Sequence, residues 1–264
     1  MTQRPSAFVV LPGDPTSPVI LHVPHASTVV PPDVRSGILL DDAGLALELA
    51  RLTDAHTDRI ASDAAARVPA RPWQLLNRLS RLVIDPERFS DESEEMTAVG
   101  MGAVYTSTSH GEPLRERDAA RDAGLVAAYF DPYAEAMAAL VDERLEAVGR
   151  AVIIDVHSYQ TVPLPYEMHA DGDRPAVCLG VDRDHTPDAL VDLAAAAFAP
   201  LGDVGTNSPF AGTYVPLSHY QQDLRVHSLM VEIRRDTYMT EPGGPPTDGL
   251  DLVGAALARL LAEL

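Results

Sequence analysis

The chain contains no lysine: all 20 basic residues among its 264 are arginines. A lysine-free chain can form no Schiff base with pyridoxal phosphate or a carbonyl substrate, and it cannot complete a Walker A phosphate loop. Cysteine is nearly absent too. With Cys178 alone, an internal disulfide and a thiolate-rich zinc site are both excluded, and its place in the apolar run AVCLGV reads as a small core residue. Positive charge is scarce overall. A formal charge of −19 repels phosphate backbones, so a nucleic-acid partner is not expected and a small-molecule substrate is. No apolar run reaches the roughly 18 residues of a membrane span. The first residues, MTQRPSAFVVLPGDP, hold too short an apolar patch for a secretory leader. A soluble, cytoplasmic protein is expected.

What is present fits one large α/β domain over residues 1–264. A hydrophobic fraction of 46% supports a full core. Short Val/Ile-rich runs bounded by turn residues read as buried strands at 19–23, 82–84, 151–156, 176–181 and 228–233. Between them, helical spacing predicts a helix from Asp41 that breaks near Leu52–Asp54 and restarts at Thr57–Asp58, with Asp41 or Asp42 as cap. Helical pattern returns over 113–148 with a restart at Asp131–Pro132, and again over 187–199 and 248–263. Residues 90–112 lack any period and read as a long functional loop. Alternating strands and helices predict a three-layer α/β/α sandwich on a mixed, largely parallel sheet.

Two of the apolar runs end in a histidine, VILHVPHAS at His25 and AVIIDVHSY at His157. In open α/β sheets chemistry gathers beyond the carboxyl ends of the strands, so two imidazoles delivered there point to a divalent metal. On an extended segment Asp155 and His157 share a side, so Asp155 can orient the ring. A carboxylate should complete the ligand set, and TDAHTD offers Asp54, His56 and Asp58. Glu232 interrupts the apolar run Leu229–Ile233, where a buried carboxylate is costly unless it is functional or paired with Arg234 or Arg235. Arg78, Arg81 and Arg88 recur in NRLSRLVIDPER, and a planar guanidinium suits a carboxylate or an oxyanion.

Taken in order, PHAS, TDAHTD, SRLVIDPER, GMGAVYT with HGEPL, IDVHS, NSPFAGTYV and VEIRRDTYM resemble the N-formylglutamate amidohydrolase family, from about residue 17 to residue 241. The resemblance implies a hydrolase of the zinc-exopeptidase, phosphorylase/hydrolase-like type. It implies zinc (Zn2+) on His25, His157 and Asp54, with Asp58 in reserve. It implies Glu232 as general acid/base and Arg81 or Arg88 on the oxyanion or the substrate carboxylate, with Asn207 and Ser158 as further substrate contacts. The expected activity is cleavage of a small N-acyl amino acid, with a metallo-exopeptidase or a silent binding protein as alternatives. One position departs from the family. Where it commonly reads VDLNR this chain reads IDPER, placing Glu87 where an Asn could donate to a substrate carboxylate. A less acidic substrate than N-formylglutamate is therefore expected, through repulsion and through competition for Arg88.

Overall fold

A computed structural model describes residues 6–168 and 170–264; the first five residues of the stretch scanned for a leader lie outside it. Among the described residues one sheet holds seven strands: β1 (Phe8–Leu11), β2 (Val19–Val23), β3 (Trp73–Asn77), β4 (Ala151–Tyr159), β5 (Val177–Gly180), β6 (Val204–Thr206) and β7 (Val226–Arg234). Their order is β1-β3-β2-β4-β7-β5-β6. β2 runs parallel to β3 and β4, β4 to β7, and β5 to β6, while β1 and β5 lie antiparallel to β3 and β7. Every residue of β4 is buried, as a strand covered on both faces requires.

Among the described residues there are seven α-helices: α1 (Pro32–Arg35), α2 (Asp42–Leu52), α3 (Thr57–Ala65), α4 (Ala119–Leu125), α5 (Asp131–Val148), α6 (Asp188–Phe198) and α7 (Gly249–Leu261). On one face Val152, Ile154 and Val156 of β4 pack with Ile60 and Ala64 of α3, Phe198 of α6 and Leu257 of α7. On the other, Ala151 and Ile153 meet Met137, Leu140 and Val141 of α5. The alternation of strand side chains assigns the two sets to opposite layers, and the sandwich is the one expected. No described helix is long and apolar enough to cross a membrane.

Local signals explain the element ends. Asp41 accepts from the Gly44 N–H and caps α2, which stops at Leu52, and α3 restarts at Thr57. The α5 stripe buries Tyr133, Met137, Leu140 and Arg144. Two expectations need correction. Leu82–Ile84 is a turn, not a strand; all three are buried, but under the loop side of the sheet with Val34, Ala103 and Met101 rather than in a ladder. The strand of that region is β3, whose WQLLN sequence is too short and mixed to show a period. The helix expected from Pro113 starts at Ala119, where Asp118 accepts from the Ala120 and Arg121 N–H groups.

Candidate functional site

The face of β4 that packs under α5 changes character along the strand. Ala151 and Ile153 are core; the next two residues on that side are Asp155 and His157. In register beside them lie His22 of β2 opposite Asp155 and Glu232 of β7 opposite His157. Past the end of β2 the chain turns and presents His25, and past α2 it presents Asp54, whose N–H donates to the His25 carbonyl at 3.0 Å. All of these are buried. All but His22 line a cavity of about 460 Å³ whose walls also include Arg81, Arg88, Tyr166, Phe210, Thr213 and Tyr214.

Three donor atoms converge there. His25 Nδ1 and His157 Nδ1 are 3.3 Å apart, and Asp54 Oδ2 lies 3.1 Å from the second and 3.6 Å from the first. A tetrahedral ion with bonds of about 2.0–2.1 Å separates its ligand atoms by about 3.3 Å. The triangle already has that size. Each ring also carries a carboxylate on its opposite nitrogen: Asp85 Oδ1 lies 2.9 Å from His25 Nε2, and Asp155 Oδ1 lies 2.9 Å from His157 Nε2. Such partners fix the ring and leave the facing nitrogen bare for a metal. The donor set fits a divalent ion such as zinc.

The charges around the triad are held in place. Arg235, itself buried, donates from Nη2 to Asp54 Oδ1 at 3.0 Å and from Nε to Ser158 Oγ at 3.1 Å. Arg81 donates from Nη2 to Asp85 Oδ2 at 2.7 Å, and the Tyr105 hydroxyl donates to the same oxygen at 2.6 Å. Burial alone would raise the Asp85 carboxyl, but Arg81 and then His25 hold it well below the ordinary carboxylate range. His157 is the reverse. Burial opposes its charge, yet Asp155 and Glu87 lift it well above the ordinary imidazole value.

Glu232 has no arginine. Arg235 is turned to Asp54 and Arg234 to Asp236, so the salt-bridge alternative for Glu232 does not form. Its Oε2 finds no partner among the described residues. Burial, reinforced by Asp54, pushes the carboxyl up to about 8.

The other expected residues divide. Ser158 lines the cavity beside Arg235. Arg88 lines it as well, with its Nε unpartnered and 3.8 Å from Asp85. Glu87 points inward but not at Arg88: its carboxylate lies 3.1 Å from His157 Nε2 and 3.4 Å from His22 Nδ1. Competition for the Arg88 guanidinium is thus not how it acts. Asp58 is exposed in the first turn of α3, accepting from the Arg59 N–H, so the reserve ligand is remote from the triad. His56 likewise turns away to the Gly244 carbonyl. Asn207 does not reach the cavity. It takes a left-handed φ of 55°, and its Oδ1 accepts from the Val181 N–H at 2.9 Å, tying the ends of β5 and β6. Its chemistry is spent on that turn.

Sequence reasoning passed over His22, Asp85 and Tyr105, and weighed Arg235 only as a partner for Glu232. Two of them carried a signal. His22 interrupts the apolar run VILHV as Glu232 interrupts LMVEI, and Asp85 closes LVID.

With this geometry in view, the comparisons with known proteins are direct. The N-formylglutamate amidohydrolase family matches residues 17–239. The chain belongs to that family. An N-formylglutamate deformylase of Pseudomonas aeruginosa is 27% identical over 260 residues, covering 94% of this chain and 92% of that protein. An N-formylglutamate amidohydrolase from Ralstonia eutropha JMP134 superposes with a TM-score of 0.82 at 23% identity, over 98% of this chain and 96% of the other. A gene product of Agrobacterium tumefaciens reaches 0.68 at 20% identity, over 98% and 92%. At those identities the two crystal structures establish the shared fold.

Proposed function

We propose that this family member is a metal-dependent amidohydrolase that cleaves the amide of a small N-acyl amino acid, of the N-formylglutamate class, with zinc as its metal. The observation that carries the reading is the triad His25, Asp54 and His157, sized for a tetrahedral ion and braced by a carboxylate behind each ring. The name of the Pseudomonas relative supports the amide class.

When bound, the metal supplies Lewis-acid chemistry, polarising an amide carbonyl and making water nucleophilic near neutral pH. The residues of the chain do the rest. Glu232 Oε2, unpartnered and beside His157, takes the proton of the attacking water and passes it to the departing amine, and a carboxyl poised near 8 suits both directions. Arg81 has Nε and Nη2 committed to Asp85 and Tyr105, which leaves Nη1 for the developing oxyanion. Arg88 holds the substrate carboxylate. Ser158, engaged by Arg235, shapes the floor. Glu87 faces His157 and His22 rather than an arginine and weighs against a dicarboxylic substrate.

The test is a panel of N-formyl and N-acetyl amino acids given to zinc-loaded protein, with released acid and free amine both measured. Turnover of formylated amino acids that vanishes on chelation and returns with zinc is expected. Hydrolysis of dipeptides alone would favour the exopeptidase reading. No hydrolysis by a fully loaded protein would leave a binding protein.

A further inference from the structure

A second group of metal-ligating atoms sits next to the triad and shares with it Asp155, the carboxylate that braces the His157 ring. His22 Nδ1 lies 2.9 Å from Asp155 Oδ1 and 3.4 Å from Glu87 Oε1, and the three residues each offer a donor atom within 4.8 Å of the others. These spacings bracket the edge of a metal polyhedron as the triad distances do. His22 and Asp155 are buried, and Glu87 is 16% exposed in its side chain.

Partners separate this cluster from the other carboxylates of the site. Asp54 and Asp85 each have an arginine at 3.0 Å or less. Among the described residues Asp155 and Glu87 have ion-pair partners only in His22, His25 and His157. Two carboxylates and an imidazole, with no guanidinium against them, make a compact and mostly buried set of donors.

We infer that His22, Glu87 and Asp155 form a second cation site, so that the protein holds two divalent ions on either side of the His157 ring. One nitrogen and two carboxylate oxygens suit a borderline ion such as zinc or manganese. Its place in the chemistry follows from position. A cation there neutralises Glu87 and removes the charge that weighs against an acidic substrate. The site goes beyond the function proposed above and fails separately from it.

The experiment strips the protein with chelator, titrates Zn2+ by calorimetry, and counts bound metal after desalting. Wild type is expected to take two equivalents, the second weaker. Glu87→Gln, nearly isosteric and at a partly exposed position, should take one, as should His22→Ala. His25→Ala should keep one equivalent, held at the second site. A wild-type plateau at one equivalent overturns the inference while leaving the single-metal hydrolase intact, and so does a Glu87→Gln protein that still binds two. The same titration with Mn2+ must give the same change from two to one; equal stoichiometry in wild type and Glu87→Gln there also overturns it.

Discussion

β4 shows two different faces to its two sides. Toward α3, α6 and α7 it is Val152, Ile154 and Val156, apolar until Ser158 near its end. Toward α5 it begins as Ala151 and Ile153 and finishes as Asp155 and His157. The first face earns its place by burial of hydrocarbon; the second gathers carboxylates and imidazoles that hydrocarbon would bury at less cost. One strand thus holds stability and chemistry back to back. The polar residues collect only at its carboxyl end, where the loops after β2 and β3 can answer them.

The comparison breaks most sharply at the histidines. His25→Ala or His157→Ala should lose metal at the triad and about a thousandfold or more of turnover, because a metal-assisted step contributes several kcal/mol. Retention of full triad metal by both variants would falsify the site. Glu232→Gln should keep the triad metal and the fold yet lose roughly a hundred- to ten-thousand-fold in kcat; a loss of metal instead would make Glu232 a ligand. On the opposite face Ile154→Ala should do the reverse, costing about 2–5 kcal/mol in urea unfolding with kcat per folded molecule unchanged.

Subtler effects sharpen the same contrast. The Glu232 carboxyl is raised from 4.5 to about 8, so between those values the folded chain binds a proton that the unfolded chain has released. Stability of metal-stripped protein should therefore fall as pH rises through that window. Glu232→Gln should remove that dependence and raise the Tm of stripped protein at pH 9 by several degrees. An unchanged pH profile in the variant would place the sensitivity elsewhere. Smallest of all, Asp58→Asn should leave metal content unaltered and stability within about 0.5 kcal/mol.

The strands that carry the chemistry were legible because their burial writes a continuous apolar run. His157 and Glu232 stood out as polar interruptions or ends of such runs, and His25 as the residue after one. Asp54 could not be separated from Asp58 by sequence, since only the turn between α2 and α3 decides which carboxylate faces inward. β1, β3 and β6 escaped notice: they are edge or near-edge strands of three to five residues, too short to show a period. Leu82–Ile84 misled for the opposite reason, because an apolar triplet buried by a loop reads like one buried by a sheet. Asn207 had the composition of a binding residue but the backbone of a turn. Arg234 or Arg235 is the partner that adjacency offers Glu232, while in space Arg235 reaches Asp54 in the turn after α2.

Asp85 touches almost every arm of this site. Its two oxygens meet His25, Arg81, Tyr105 and the Glu87 N–H, so one carboxylate joins the residues proposed for the metal and the oxyanion to the loop that carries Glu87. The consequence is evolutionary. Substitutions on those arms cannot be judged singly, because each shifts the footing of the others, and their effects should depart from additivity. A lineage changing its substrate would find easier paths along the wall formed by Phe210 and Thr213, which share no such junction, than through the loop that carries Arg81 and Glu87. Substitutions around Asp85 should therefore be the hardest to combine.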